Sequence, residues 1–152
     1  MTQLVAIKAI LDHSIAVNQA VRVQGWVRSR RTSKGGFAFI HLHDGSCFET
    51  IQAIADAALP NYDEINQLGA GCSVAINGTL VESAGRGQDR EIQAESVEVI
   101  GLVDDPESYP ISKKQHTYEF LRGVAHLRPR TNTFGAMARI RVGVERAVLV
   151  NV

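Results

Sequence analysis

Long hydrophobic runs are missing from this 152-residue sequence, and no apolar stretch approaches the roughly 20 residues that a membrane-spanning helix needs. The opening residues, MTQLVAIKAIL, hold no basic region followed by a sustained apolar stretch and a small-residue cleavage site. That argues against a secretory signal and for the cytosol. Cysteine is scarce: Cys47 and Cys72 stand apart in no metal-like spacing and read as two reduced, partly buried thiols. At this length there is room for one barrel-sized domain and an appendage, but not for a full catalytic domain besides. A composition of 45% hydrophobic and 21% charged residues is that of a soluble globular chain.

Net charge is also lacking, since 16 Lys and Arg balance 16 Asp and Glu. The balance hides a segregation: residues 1–34 carry six basic groups against one acid, residues 35–112 two against thirteen, and residues 113–152 eight against two. The ends are basic and the middle is acidic. Holding a nucleic-acid backbone takes a local basic surface rather than a high overall pI, and Arg28, Arg30, Arg31 and Lys34 form such a cluster.

That cluster lies in the most informative stretch, VRVQGWVRSRRTSKGGFAFIHL, from Val21 to Leu42. At period two, Val21, Val23, Gly25 and Val27 share one face, and Arg22, Gln24, Trp26 and Arg28 share the other. In the next strand Ala38, Ile40 and Leu42 alternate with Phe37, Phe39 and His41, which puts rings on the face that patterning would make polar. Rings on a solvated face beside arginines are suited to base stacking.

The pattern continues for three more strands. Strand one is expected from about Val21 to Arg28, strand two from Phe37 to His43 and strand three from Thr50 to Ala55. Tyr62, Ile65 and Leu68 then recur at helical spacing after Pro60 and Asn61, and Gly69 and Gly71 stop the helix. Strand four follows from Cys72 to Glu82 and strand five from Arg90 to Ile100, joined by the glycine-rich hairpin SAGRGQD. In strand five Ile92 and Ala94 are in one phase and Val97 and Val99 in the other, which predicts a bulge near Glu95 or Ser96. Three strands, a short helix and two strands is the order of the OB-fold. The expected class is therefore an all-β, five-stranded barrel with short helices and a C-terminal helical extension. Barrels of this kind bind oligonucleotides across strands two and three and the neighbouring loops.

Residues 1–101 make the barrel domain and residues 102–130 a linker, where GLVDDPESYPIS is acidic and proline-bearing and QHTYEFLR reads as a short amphipathic helix. HLRPRTN is a basic, proline-broken turn. In residues 131–152, Thr131 or Asn132 caps a helix whose apolar positions are Phe134, Met137, Ile140, Val144 and Val148. Nothing within the chain is long enough to cover that stripe, which points to another domain or a second subunit.

Other candidates carry less. His41 and His43, two apart on one strand face with Asp44 next, lack a convincing third ligand and read better as a wet pair flanking a base platform than as a metal site. Gly85-Arg86-Gly87 is too short for a phosphate loop. Trp26 is expected to turn inward, because strand curvature near Gly25 would carry it into the packing.

The runs GWVRSRR, FAFIHLHDGS, IQAI, LPNY, GTLVESAGRGQDREIQAESVEVIG, YPISKKQHTYEFLR and HLRPRTNTFGAMARIR resemble, in order and over nearly the whole chain, the N-terminal anticodon-binding region of class II aspartyl- and asparaginyl-tRNA synthetases. HDGS, LPNY and SAGRGQ place it nearest the bacterial asparaginyl enzymes. The resemblance implies that Phe39 stacks the middle anticodon uridine, that Gln52 meets the edge of that base, and that Arg31 and Glu91 belong to the same site. An amide both donates and accepts, so Gln52 has the chemistry for selection. For Glu91 a base contact and a salt bridge to Arg28 or Arg31 stand equally.

The resemblance further implies a parent reaction, ATP-dependent asparaginyl-adenylate formation and transfer to tRNA(Asn), with Mg²⁺ on the phosphates. The helix from residue 131 then opens the first class II motif, a homodimer element, while the ATP-binding arginine motif and the glycine-rich third motif do not occur in the chain. The expectation is an anticodon module without catalytic residues of its own. Two other readings stand beside it: a free-standing OB-fold that binds RNA or single-stranded DNA, and an interaction protein that pairs with a full-length synthetase subunit.

Overall fold

The computed structural model describes residues 3–85, 87–111 and 114–150. They fall into two compact units, Met1–Tyr109 and Pro110–Val152.

In the first unit, β1 (Ala20–Thr32), β2 (Phe37–His43), β3 (Ile51–Asp56), β4 (Ser73–Glu82) and β5 (Arg90–Gly101) close a barrel in the order β1-β2-β3-β5-β4. All the ladders are antiparallel except β3–β5. The alternation expected from the sequence holds where it decides the core: Val21, Val23, Val27, Ala38, Ile40 and Leu42 are all 1% exposed or less. Each such aliphatic side chain withdrawn from water contributes about 1.5–3 kcal/mol, and together they fix the register.

Two short helices complete this core. In α1 (Ile7–Leu11), Ile7 and Ile10 are fully buried, and the Ile7 N–H is capped from a distance by Asp44 Oδ2 at 2.9 Å. This helix was not anticipated, although Ile7, Ile10 and Leu11 have helical spacing. The expected helix between β3 and β4 is α2 (Tyr62–Ile65), which buries Ile65, with Leu68 just beyond it. Asn61 precedes α2, but its amide ties the turn to β5 by donating to the Val97 carbonyl at 2.8 Å. The barrel unit continues past β5, where the Val103 N–H reaches Cys72 Sγ at 3.4 Å. Cys72 is buried, and burial pushes the half-buried Cys47 thiol above its ordinary pKa; neither forms a disulfide.

The strands depart from simple alternation at bulges. Asn77 pairs with Ser96 and Gly78 with Ala94, leaving Glu95 as the extra residue, which is where the phase change in the sequence put it. Gly78 is required there, because a Cβ would lie 2.1 Å from the Gln93 carbonyl oxygen. The other bulge that matters is unheralded: Val27 pairs with Leu42 and Ser29 with His41, so Arg28 is extra in β1.

In the second unit, α3 (Tyr118–Gly123) is capped by Thr117, whose hydroxyl accepts from the Phe120 N–H at 3.2 Å. A 3₁₀ turn over Arg128–Arg130 leads into α4 (Asn132–Val150). The Phe134 ring meets Tyr118 edge-on and carries the Arg128 guanidinium 4.9 Å from its centre. Met137, Ile140, Val144 and Val148 are exposed. Among the described residues, no helix is long and apolar enough to cross a membrane.

Candidate nucleic-acid interface

The Arg28 bulge decides which basic side chains share a face with the rings. Unbroken alternation from Val27 would set Arg28 and Arg30 outward; the extra residue instead brings Ser29 and Arg31 onto the face of Phe39 and His41. Arg30 is shifted to the opposite phase, as the partner of core residue Ile40. There it acts as a brace: Nε donates to the Leu68 carbonyl at 2.9 Å, and its terminal nitrogen donates to Thr32 Oγ1 at 2.7 Å. Sequence reasoning grouped Arg30 with the nucleic-acid contacts, whereas the structure places it at the α2–β4 connection, away from the rings.

On the outer face the registers assemble two rows. Arg31 pairs with Phe39, Phe39 with Ile54, and Ile54 with Gln93. The Arg31 guanidinium sits 4.7 Å from the Phe39 ring centre, a cation–π contact on a half-buried ring. In the second row Ser29 pairs with His41, His41 with Gln52, and Gln52 with Glu91. Lys34 is exposed on the β1–β2 turn, and Arg28 is half-buried at its bulge.

Gln52 and Glu91 stand in the outward phase but are covered, at 5% and 8% exposed. The position of Gln52 is thus less open than expected, and its partner Glu91 is tied to the β4–β5 hairpin. Gln52 Nε2 donates to Glu91 Oε2 at 3.0 Å, and the same oxygen accepts from Ser83 Oγ and Gln88 Nε2, each at 2.9 Å. The donors to this Glu91 oxygen are two amides and a hydroxyl, all neutral. Ser83 and Gln88 were not singled out from the sequence, and a serine and a glutamine flanking a glycine-rich hairpin give no pattern that marks them. Arg86, the basic residue at the hairpin tip, lies outside the described residues.

Trp26 does not turn inward. It is 37% exposed, pairs with His43, and its ring centre stands 6.3 Å from that imidazole. Gly25 does bring backbones close, since a Cβ there would lie 2.6 Å from the His43 carbonyl oxygen, but this close approach leaves the phase of the strand unchanged. His43 Nδ1 accepts from the Gly45 N–H at 3.1 Å. Among the described residues no three His, Cys, Asp or Glu side chains are placed to hold a metal ion.

A closed five-stranded barrel with rings, a guanidinium and an amide–carboxylate pair on the outer face of β1, β2, β3 and β5 defines an OB-fold of the nucleic-acid-binding class. The family model described as the OB-fold nucleic acid binding domain matches residues 21–100, and the chain belongs to that family. Among curated proteins it is 60% identical over 144 residues to the asparagine–tRNA ligase of Hahella chejuensis, covering 94% of this chain and 31% of that protein. To the asparagine–tRNA ligase of Legionella pneumophila (strain Corby) it is 54% identical over 149 residues, covering 97% and 32%. The chain thus spans about a third of the length of the curated relatives it matches. These relatives bear out the resemblance to asparaginyl enzymes read from the sequence. Among solved structures, asparaginyl-tRNA synthetase from Pyrococcus horikoshii, complexed with asparaginyl-adenylate, superposes with a TM-score of 0.76 at 21% identity. It covers 99% of this chain and 35% of that one, a likeness of fold.

Proposed function

We propose that this chain is the anticodon-recognition module of an asparagine–tRNA ligase. The observation that carries the proposal is the pairing of two adjacent rows on one barrel face: Arg31 over Phe39, and beside it Gln52 bonded to Glu91. A base stacked on Phe39 gains about 1–3 kcal/mol whatever its identity. Selectivity then comes from Gln52 at the base edge, with Arg28, Arg31 and Lys34 supplying charge to the phosphates, His41 flanking the platform and Glu91 holding the amide. Relatives named asparagine–tRNA ligase support the tRNA(Asn) anticodon loop as the partner, and cytoplasm as the compartment follows from that role.

In the parent enzyme, asparagine would be joined to tRNA(Asn) with ATP and Mg²⁺. The exposed apolar residues of α4 are the surface that a homodimer would bury.

The test is an amide chemical-shift titration of the chain with an anticodon stem-loop. Shifts concentrated on β1, β2 and β3 around Phe39 support the proposal. Shifts concentrated instead around the Arg22–Glu98 ion pair of β1 and β5 contradict it.

A further inference from the structure

Resting on the proposed base-reading role of Gln52, we infer that Glu91, backed by Ser83 and Gln88, is a positioning residue. It fixes which end of the Gln52 amide faces the bound base.

Proton accounting in the network forces this direction. A carboxylate oxygen only accepts, and Glu91 Oε2 receives Gln52 Nε2 at 3.0 Å, Ser83 Oγ at 2.9 Å and Gln88 Nε2 at 2.9 Å. The serine has a single hydroxyl proton, which goes to Glu91. Its lone pairs then accept from Gln88 Nε2 at 3.0 Å and from the Gly85 N–H at 3.1 Å. Gln88 Nε2 has two hydrogens for two acceptors. Each donor in the cluster runs toward Glu91 or toward the serine that serves it, and none is left to support a reversed amide at position 52.

Reversal would set the Gln52 carbonyl oxygen against a carboxylate oxygen where the two side chains are 5% and 8% exposed. Water is too scarce there to relieve that contact, so the reversed state is strongly disfavoured. The nitrogen of Gln52 is committed to β5, and its carbonyl oxygen is the end offered to a ligand.

An offered carbonyl selects a base edge with an N–H at the matching position. Uracil has N3–H there and cytosine a bare acceptor nitrogen, so two pyrimidines of equal size and stacking power are told apart by the hydrogen bond alone. Ser83 and Gln88 close the β4–β5 hairpin onto this reader, which makes the hairpin part of the specificity apparatus as well as a connection.

The experiment compares wild type with Glu91→Leu in binding two anticodon stem-loops that differ only in a middle U or C. Leucine removes the acceptor that three donors share, so neither end of the Gln52 amide is held. Wild type is expected to prefer U by roughly 5- to 150-fold, the range for a matched against a mismatched amide–base pair. In Glu91→Leu that ratio should fall toward unity, because the freed amide can turn its nitrogen to the C loop. A merely structural role would weaken both loops and leave the ratio alone, and that result overturns the inference. Should Glu91→Leu fail to fold, the side-chain amide protons of Gln52 in the free wild-type chain decide. Slow exchange supports a lock, and free exchange overturns it. Absence of any U preference in wild type would defeat the base-reading proposal itself, whereas a preference that survives in Glu91→Leu defeats only the lock.

Discussion

The guanidinium of Arg31 lies 4.7 Å from the centre of the Phe39 ring, and the two residues are direct partners in the β1–β2 register. That relationship exists because Arg28 is an extra residue in β1; without it, Arg31 would point into the barrel phase and Arg30 would take its place. One inserted residue thus sets Arg30 against the Leu68 carbonyl and Arg31 over the Phe39 ring.

Phe39 stands in the outward phase between buried Ala38 and Ile40, so the proposed reading assigns its ring to binding more than to the core. Phe39→Ala is expected to weaken stem-loop binding by about 1–3 kcal/mol, the size of one lost base stack. Titration and thermal melting of the same variant check this: unfolding of the variant would show the ring to be core.

Arg30 and Arg31 are expected to fail in different ways. Arg30→Ala removes the bond to the Leu68 carbonyl and should cost about 1–2 kcal/mol of stability, with the salt dependence of binding unchanged. Arg31→Ala should leave stability within about 0.5 kcal/mol and reduce the slope of log affinity against log salt by about 0.7. Denaturant melts and a salt series on both variants provide the comparison.

Asp44 gives the barrel an acid-sensitive joint. Burial works to raise its pKa, but hydrogen bonds from the Ser46 hydroxyl and from the Ile7 and Ser46 N–H groups outweigh burial and hold the carboxyl below its ordinary value. A depressed carboxylate stabilises the fold fully above its unfolded pKa of about 3.9, and that stabilisation is lost as pH falls through the lower folded value. Asp44→Ala should therefore cost about 0.5–2 kcal/mol at neutral pH, as for a lost helix cap, and should flatten the acid limb of the stability profile below about pH 4.

Gly78 faces the Glu95 bulge with no room for a side chain. Gly78→Ala is expected to destabilise the barrel by about 1–3 kcal/mol through overpacking against the Gln93 carbonyl, read as a lower denaturant midpoint.

Much of the barrel was legible because apolar residues mark phase. In β5 the shift from Ile92 and Ala94 to Val97 and Val99 betrayed the bulge at Glu95. In β1 the residues after Val27 are Arg28, Ser29, Arg30, Arg31 and Thr32, all polar, so the bulge at Arg28 left no hydrophobic trace and the facing of each arginine was hidden. Trp26 followed plain alternation after all: curvature at Gly25 draws the backbones together without rotating the next side chain inward. The hydrogen-bonded cluster of Gln52, Glu91, Ser83 and Gln88 was beyond local pattern, because the last three arrive from more than 30 residues along the chain from Gln52. The α1 helix spans only 5 residues, too few for its apolar spacing to stand out in the sequence.

The most direct test of the central claim is fluorescence anisotropy with an anticodon stem-loop reading G-U-U and the same loop with its middle U changed to C, at one fixed moderate salt concentration. The account predicts clear preference for U, lost when Gln52 is replaced by alanine. Equal affinity for the two loops would contradict it and leave only a basic surface on a barrel.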